Sequence, residues 1–333
     1  MKSQIDRRHL MLSTLALVTQ PSGAIAQTTP SQLRRIGVLM AIGENDPEGA
    51  LRIGEFRRSF EAAGWIEGRN ATIEVGWYNG SVQVAHTIAK GFIERGVEVV
   101  VVNGTPGMEA VRSLGMSIPI VFVVVSNPVG AGYVSSMSRP GANITGFSTF
   151  EPEIAGKWLQ LLRQAVPGLK NVNMLVDEKA VGLRSLWLAL ADVARQNGIN
   201  AHPAFASNWQ DIERAVQAIT TQPAPGLIVT PSPINTVNRA PLIALANASR
   251  IPAIYPFRFY VRDGALLAYG FNAADQFKRA ATYVARILLG ENPGNLPVQS
   301  PSLFEFGINL RTAKAMGIDM PQSLIIAADE VVE

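Results

Sequence analysis

The chain has 333 residues, of which 47% are hydrophobic and 17% charged, a composition typical of a globular protein that is long enough for two domains. It contains no cysteine, which excludes disulfides, thiol catalysis and cysteine-based metal sites. The formal net charge is +3, and residues 1–26 carry +2 of it through Lys2, Arg7 and Arg8 against Asp6; the nearly neutral remainder lacks the basic patch expected of a nucleic-acid-binding protein.

The first 26 residues have the pattern of an export signal. Arg7 and Arg8 precede an apolar stretch at 10–18, which is too short to span a bilayer. Residues 24–26 (AIA) form a small-residue cleavage signal, so the mature chain is expected to begin at Gln27. The adjacent arginines fit twin-arginine export, and an ordinary secretory leader fits equally well. Both routes lead to the periplasm.

After this signal, predicted strands and helices alternate along the chain. A first series has strands at 35–40, 72–77, 97–102 and 119–125 and helices at 47–63 and 82–95. A second series has helices at 157–165, 183–197, 212–219 and 273–289, and strands at 172–176, 201–206, 227–230, 251–255, 265–269 and 304–310. Continuous valine and isoleucine runs between helices indicate parallel sheets covered on both faces. We therefore predict an α/β fold with two doubly wound parallel-sheet lobes and a ligand cleft between them.

Three strand ends share one local pattern, at 101–106 (VVNGTP), 124–128 (VVSNP) and 229–233 (VTPSP). Each has a hydroxyl or amide residue at a plausible helix N-cap, with proline at the first helical position. Backbone N–H groups at such helix starts favour a carboxylate, although capping alone would also explain each pattern. The candidate ligand-binding residues are Gly104, Thr105, Ser126, Asn127, Thr230 and Ser232, together with Ile42 and Gly43 after the first strand.

Aromatic and acidic residues provide further candidates near the second set of strand ends. Tyr255, Phe257 and Tyr269 could stack on an aromatic ligand, or they could belong to the core of the second domain. Asp177 and Glu178 follow another predicted strand, where a solvated loop is the alternative interpretation. We include Asp177 and the three aromatic residues among the candidate site residues.

The sequence carries no recognisable catalytic or metal-binding motif. A nucleophile elbow, a phosphate-binding loop, a zinc-protease helix and a calcium loop are all missing from it. Gly37 and Gly43 do not complete a dinucleotide-binding fingerprint, and His86 and His202 are interpreted as surface or structural residues. We therefore predict a protein that is not an enzyme and uses no cofactor or metal.

The chain after the export signal resembles the tryptophan-binding-type substrate-binding proteins of ABC transporters, which have the type I periplasmic binding fold. The order and spacing of several segments carry this resemblance: 61–70 (EAAGWIEGRN), 104–106 (GTP), 118–122 (IPIVF), 127–130 (NPVG), 139–146 (RPGANITG), 251–256 (IPAIYP), 308–317 (INLRTAKAMG) and 328–331 (ADEV). The resemblance implies two lobes joined by three hinge segments, near 146–147, near Asp263 and near Pro297. Lobe one would comprise 34–146 and 264–297, and lobe two 147–263 and 298–333.

The resemblance also implies an amino-acid-like ligand, aromatic or apolar in its side chain. Thr105 and Asn127 would hold its polar end from lobe one, and Ser232 and Tyr255 would close on it from lobe two. Many relatives have aspartate at the position of Asn127, and an amide binds an ammonium group less strongly than a carboxylate does. Asp177 or Glu178 could supply the negative charge instead, and a non-amino small carboxylate remains an open alternative.

The expected function is the periplasmic capture of a small molecule by hinge closure, as the monomeric solute-binding component of an ABC importer. Its partners would be the ligand and the permease subunits in the inner membrane. A periplasmic ligand-sensing protein for a receptor kinase would have the same fold and site, and stays open. An enzyme would need an acid or base in the cleft, for which the sequence offers no candidate. A cytoplasmic repressor is disfavoured, since the export signal takes the place of a DNA-binding helix pair.

Overall fold

The computed structural model describes residues 33–149, 152–177 and 183–333. The predicted export signal at 1–26 and the candidate acid Glu178 lie outside the described residues. Within the described ranges, every helix is too short or too polar to cross a lipid bilayer.

The first half of the fold is a five-stranded parallel sheet in the order β2-β1-β3-β4-β5. Its strands are β1 (Arg34–Met40), β2 (Ala71–Trp77), β3 (Val99–Asn103), β4 (Ile120–Val125) and β5 (Ile144–Ser148), and its helices are α1 (Pro47–Ala62), α2 (Val82–Glu94) and α3 (Thr105–Ser113). The sequence VVVVN of β3 is buried along its whole length, as expected for a central strand covered on both faces.

The second half is a seven-stranded sheet in the order β12-β11-β10-β9-β8-β6-β7. All of its pairings are parallel except that between β10 and β11, which is antiparallel. Its strands are β6 (Asn171–Asp177), β7 (Asn200–Ala206), β8 (Pro225–Val229), β9 (Ala253–Tyr255), β10 (Leu267–Phe271), β11 (Phe304–Asn309) and β12 (Glu330–Val332). The surrounding helices are α4 (Ile154–Ala165), α5 (Arg184–Gln196), α6 (Trp209–Ile219), α7 (Pro233–Val237), α8 (Arg239–Ala248), α9 (Phe259–Arg262), α11 (Leu310–Met316) and α12 (Gln322–Ala327).

The remaining long helix, α10 (Ala273–Leu288), returns to the first sheet and packs against α1. Phe277, Ala280 and Ala281 of α10 share a core with Ile53 and Phe56 of α1 and with the strands beneath. A second core lies on the opposite face of the same sheet, under α2 and α3. We call this sheet with α1, α2, α3 and α10 the first lobe, and the other sheet with its helices the second lobe.

The chain passes between the lobes at three places. Asn272 connects β10 to α10, and its side chain caps α10 by accepting a hydrogen bond from the Asp275 N–H over 3.0 Å. The other two passages run side by side after β5 and before β11, where the Ser148 N–H donates to the Gln299 carbonyl over 3.0 Å and the Gln299 N–H donates to the Gly146 carbonyl over 3.0 Å. Two adjacent connections tied by main-chain bonds form a narrow link between the lobes.

The strand pairing divides the chain differently from the predicted lobes at one point. The resemblance implied that the chain crosses between the lobes near Asp263, with 264–297 in lobe one. In the structure, β10 at Leu267–Phe271 pairs with β9 and β11 and so belongs to the second sheet. The physical reason is that an apolar strand gives no local sign of which sheet it joins. That the two lobes move relative to each other about these hinge segments stays a prediction.

One predicted helix start is wrong. The pattern at Asn127 and Pro128 suggested a helix, but residues 128–132 form successive turns. The Ala131 N–H donates to the Asn127 carbonyl over 2.9 Å, and the segment then turns away at Gly132, whose φ is +68°. Two glycines within three residues remove the helical preference that the proline suggested.

Candidate functional site

A cavity that opens to solvent lies between the two lobes at the carboxyl ends of their strands. At this point in each sheet, the direction in which successive strands are added reverses. In the first sheet β1 lies between β2 and β3, and in the second sheet β6 lies between β7 and β8. Doubly wound sheets hold their ligands at such switch points. The first lobe contributes Ala41, Arg52, Asn103, Gly104, Thr105, Pro106, Val124 and Ser126 to the lining, and the second lobe contributes Asp177, Leu183, Pro231, Ser232, Pro233, Thr236 and Phe257.

Hydrogen bonds join the loops of the first lobe around the cavity. The Thr105 hydroxyl accepts from the Ser126 N–H over 3.2 Å, and the Thr149 hydroxyl donates to the Ser126 hydroxyl over 3.0 Å. Gly104 is the N-cap of α3, with a φ of +86° that glycine adopts without strain. The sequence pattern had suggested a side-chain cap here, but the glycine provides none. The first turn of α3 therefore borders the cavity with its backbone and with Thr105.

Val124 is strained at the cavity wall. Its φ of +58° is unusual for a β-branched residue, and the β4–β5 register shifts between Val123 and Val125. The buried side chain of Gln276 holds this bulge, because its carbonyl oxygen accepts from the Val124 N–H over 3.1 Å and its amide donates to the Ser148 carbonyl over 2.6 Å. Strain of this kind persists only where the surroundings enforce it, and it occurs frequently at functional sites.

The second lobe presents one short capped helix and an apolar wall. Ser232 caps α7 by accepting from the Asn235 N–H over 3.3 Å. The Thr236 hydroxyl donates to the Ser232 carbonyl over 3.1 Å and bonds with the Tyr260 hydroxyl over 3.2 Å. Phe257 provides an apolar surface beside these groups. The second lobe thus offers polar groups whose orientation is already fixed.

A charged residue that the sequence analysis missed also lines the cavity. Arg52 of α1 is 3% exposed, and its Nε and Nη2 are buried without a hydrogen-bond partner. Burial lowers the pKa of Arg52, and the charges of Glu48 and Asp46 act in the opposite direction. A signal existed in the sequence, because Arg52 lies one turn before Phe56, on the apolar face of its helix.

Acidic groups from the two lobes influence each other electrostatically, and one of them, Asp177, lines the cavity. Asp177 ends β6 and lines the cavity, while Glu109 belongs to α3 of the first lobe. Burial raises the pKa of Glu109, and the charge of Asp177 raises it further. The cavity therefore carries a positive group, Arg52, and a negative group, Asp177.

The lobes are in contact around the cavity. Arg239 Nη1 lies 2.5 Å from Asp46 Oδ2, and Nη2 lies 3.2 Å from Oδ1, which joins the start of α8 to the start of α1. A Cβ atom at Gly104 would lie 3.4 Å from Cγ of Pro233 in the opposite lobe. The Arg52 guanidinium lies 5.6 Å from the Phe257 ring centre.

The structure brings half of the predicted site residues together. Those that line the cavity are Gly104, Thr105, Ser126, Asp177, Ser232 and Phe257. Asn127 is exposed and lines a neighbouring recess that also contains Ser126.

The other predicted residues lie away from the lining. Ile42 belongs to the first-lobe core, and Gly43 forms a turn in which its carbonyl accepts from the Asp46 N–H. Thr230 is fully buried, with its hydroxyl donating to the Leu175 carbonyl over 2.6 Å. Tyr255 stacks on Tyr260 in the second-lobe core, and Tyr269 stacks on Phe304. Within the described part of the chain, no group of three or more His, Asp or Glu residues could hold a metal ion.

Comparison with known proteins identifies relatives along nearly the whole chain. A family model for "ABC transporter substrate binding protein" matches residues 36–332. A protein of Clostridioides difficile (strain R20291) named "Tyrosine-binding protein" is 25% identical over 267 residues, which cover 78% of this chain and 75% of that protein.

Solved structures share the fold. A crystal structure of a conserved domain protein from Vibrio cholerae superposes with a TM-score of 0.84 at 27% identity, covering 90% of this chain and all of that one. An ABC domain in complex with L-Trp from Streptococcus pneumonia superposes with a TM-score of 0.83 at 20% identity, again covering 90% of this chain and all of that one. These superpositions show that the fold is shared along 90% of the chain.

Proposed function

Because the chain belongs to the family of ABC transporter substrate-binding proteins, we propose that it captures a free aromatic or apolar amino acid in the periplasm and delivers it to an importer. The permease subunits in the inner membrane would recognise the closed, ligand-filled form. The observation that carries this proposal is the cavity between the lobes, which takes lining residues from both of them. A small molecule held there contacts both lobes only when they are closed, so its binding favours closure.

The lining chemistry supports an amino acid as the ligand. Leu183 and Phe257 provide apolar surface for a side chain, and an aromatic ring of the ligand could stack on Phe257. Arg52 and Asp177 provide one charge of each sign, which suits a carboxylate and an ammonium group. The relatives named for tyrosine and crystallised with L-Trp are consistent with this chemistry.

The three passages between the lobes support closure as the binding motion. Asn272 and the paired connections at Ser148 and Gln299 link the lobes, and a few residues at the ends of elements are enough to absorb a hinge rotation. In an open form, the Asp46–Arg239 contact would separate and the strand-end loops would become accessible. The ligand would then bind one lobe before the other closes over it.

A ligand screen on refolded protein tests the proposal. The full chain is purified, unfolded and refolded to remove any bound ligand, and its thermal unfolding is followed with amino acids, small carboxylates and sugars. A ligand at about a thousand times its Kd stabilises the folded state by about 4 kcal/mol. We expect a rise of several degrees with one or a few aromatic or apolar amino acids. A rise only with sugars, or only with non-amino carboxylates, would contradict the proposed ligand.

A further inference from the structure

The environment of Arg52 is unusual for an arginine. It lies on the helix face that packs against the sheet, it is buried, and it lines the cavity. Arginine is rarely buried unless it is paired, because moving an unpaired charge away from water is expensive. Its position therefore calls for a partner within the cavity or beside it.

The described residues supply no hydrogen bond to two of the guanidinium nitrogens of Arg52. Nε and Nη2 are both buried and without a partner. Glu48 Oε2 lies 3.9 Å from Nε, which is beyond hydrogen-bond distance. The ring of Phe257 lies 5.6 Å from Cζ and can stabilise the charge by a cation–π contact, but it accepts no conventional hydrogen bond.

Asp46, whose charge also acts on Arg52, is already engaged elsewhere. Asp46 binds the guanidinium of Arg239 through both carboxylate oxygens. Burial raises the pKa of Glu48, whereas the charge of Arg52 lowers it. An external carboxylate would complete the hydrogen bonding of Arg52 in a way that these residues do not.

We infer that Arg52 binds the ligand's carboxylate inside the cavity, an inference that rests on the proposed binding function and assigns the residue that recognises the acid group. A carboxylate matches the planar guanidinium because two parallel N–H donors meet its two oxygens. Thr105, at the first turn of α3, lines the same cavity, and helix starts also favour anions. In this arrangement the first lobe selects for the carboxylate, and the second lobe contacts the rest of the ligand.

Comparing acids with their amides tests the inference. The probes are L-tryptophan and L-leucine together with L-tryptophanamide and L-leucinamide, which keep the ammonium group and side chain but lack the carboxylate. Their Kd values are measured by calorimetry on the refolded full chain. We expect the amides to bind at least about 30-fold more weakly, the effect of leaving a buried charge unpaired.

The variant Arg52→Met removes the charge and retains much of the volume. We expect it to weaken binding of the acid by at least about 30-fold and to bring acid and amide to similar Kd values. The ligand-free variant should unfold at the same temperature or higher, because a buried charge whose ion-pair neighbour, Glu48, lies as far as 3.9 Å away has been removed. Arg58→Met is the matched control, since Arg58 lies on the same helix, is exposed and pairs with Glu55; it should leave both Kd values unchanged.

Several outcomes would overturn the inference. Amides that bind the native protein as tightly as the acids would do so, as would an Arg52→Met variant that keeps the acid-to-amide ratio. If this variant does not fold, Arg52→Lys replaces it in the comparison. The ratio of the amide Kd to the acid Kd, measured on the native protein, still tests the inference. Failure of the proposed amino-acid function can be distinguished from failure of this inference. If phenylacetate and indole-3-acetate bind while amino acids do not, the amino-acid function is wrong. Loss of that acid binding in Arg52→Met would still support the role of Arg52. Binding of neutral sugars alone would overturn both.

Discussion

The Asp46–Arg239 ion pair offers a direct test of the proposed closure. Asp46 caps α1 of the first lobe, where its side chain accepts from the Glu48 N–H over 3.0 Å, and it also binds Arg239 of the second lobe. The substitution Asp46→Asn retains a good N-cap residue while removing the charge. It therefore weakens the contact between the lobes without removing the cap of α1.

The expected size follows from the burial of the pair. The side chains of Arg239 and Asp46 are only 17% and 12% exposed, so their interaction lies between the values of surface pairs, up to about 1 kcal/mol, and of buried pairs, about 3–5 kcal/mol. Arg239 keeps a second partner in its own lobe, Asp263, at 2.6 Å, which limits the loss. We expect Asp46→Asn to destabilise the closed form by about 1.5 kcal/mol. If the ligand-free protein is mostly open, ligand binding then becomes about tenfold weaker.

Calorimetric titration with the ligand found in the screen measures this effect in low and high salt. The native protein should lose affinity as salt rises, and the variant should show a smaller salt dependence. Asp263→Asn is the matched control, because it removes a carboxylate from the same arginine but within one lobe. We expect its Kd to change far less than that of Asp46→Asn. The dissociation rate should rise in Asp46→Asn alone, since the pair forms on closure.

Two results would refute this reasoning. Equal Kd values for the native protein and Asp46→Asn at low salt would show that the pair does not contribute to closure. Equal losses in Asp46→Asn and Asp263→Asn would show that the effect comes from the position of Arg239 within its own lobe.

Three further changes have defined outcomes. Gly104→Ala introduces a Cβ at a φ of +86°, 3.1 Å from Tyr78 Oη and 3.4 Å from Pro233 Cγ, so it strains the start of α3 and calorimetry should show binding weakened by roughly tenfold; unchanged binding would argue against a role of this helix start in the site. The buried hydroxyl of Tyr255 has no hydrogen-bond partner, so Tyr255→Phe should leave the Tm unchanged or slightly higher and the Kd unchanged; a large loss of binding would place Tyr255 in the site. Burial and the charge of Asp177 raise the pKa of Glu109, so the folded state binds this proton more readily than the unfolded chain and stability falls as the pH rises above 4.5. Glu109→Gln should raise the Tm at pH 7.5 and flatten its pH dependence, and an unchanged slope would contradict this account.

Local patterns in the sequence were enough to predict the class of fold. The VVVVN run of β3 and the apolar spacing of α1 reflect periodicities that depend only on neighbouring residues. The order of strands and helices then limited the topology to doubly wound sheets, and the strand-end rule predicted a site near Gly104, Thr105 and Ser232, which line the cavity between the lobes. These inferences needed no knowledge of which residues meet across the cleft.

The remaining features depend on contacts between distant segments, which only the tertiary structure could decide. Whether β10 joins the first or the second sheet is determined by its pairing with β9 and β11. Asn127 carries the same local pattern as Ser232, yet glycines turn its segment out of the cavity, whereas Ser232 caps a helix that borders it. The sequence places Arg52 on the apolar face of its helix, one turn before Phe56, but it does not show what surrounds the guanidinium. Its burial follows from the sheet beneath it and from Phe257, about 200 residues away, because the surroundings of a side chain are set by packing and not by its neighbours in the chain.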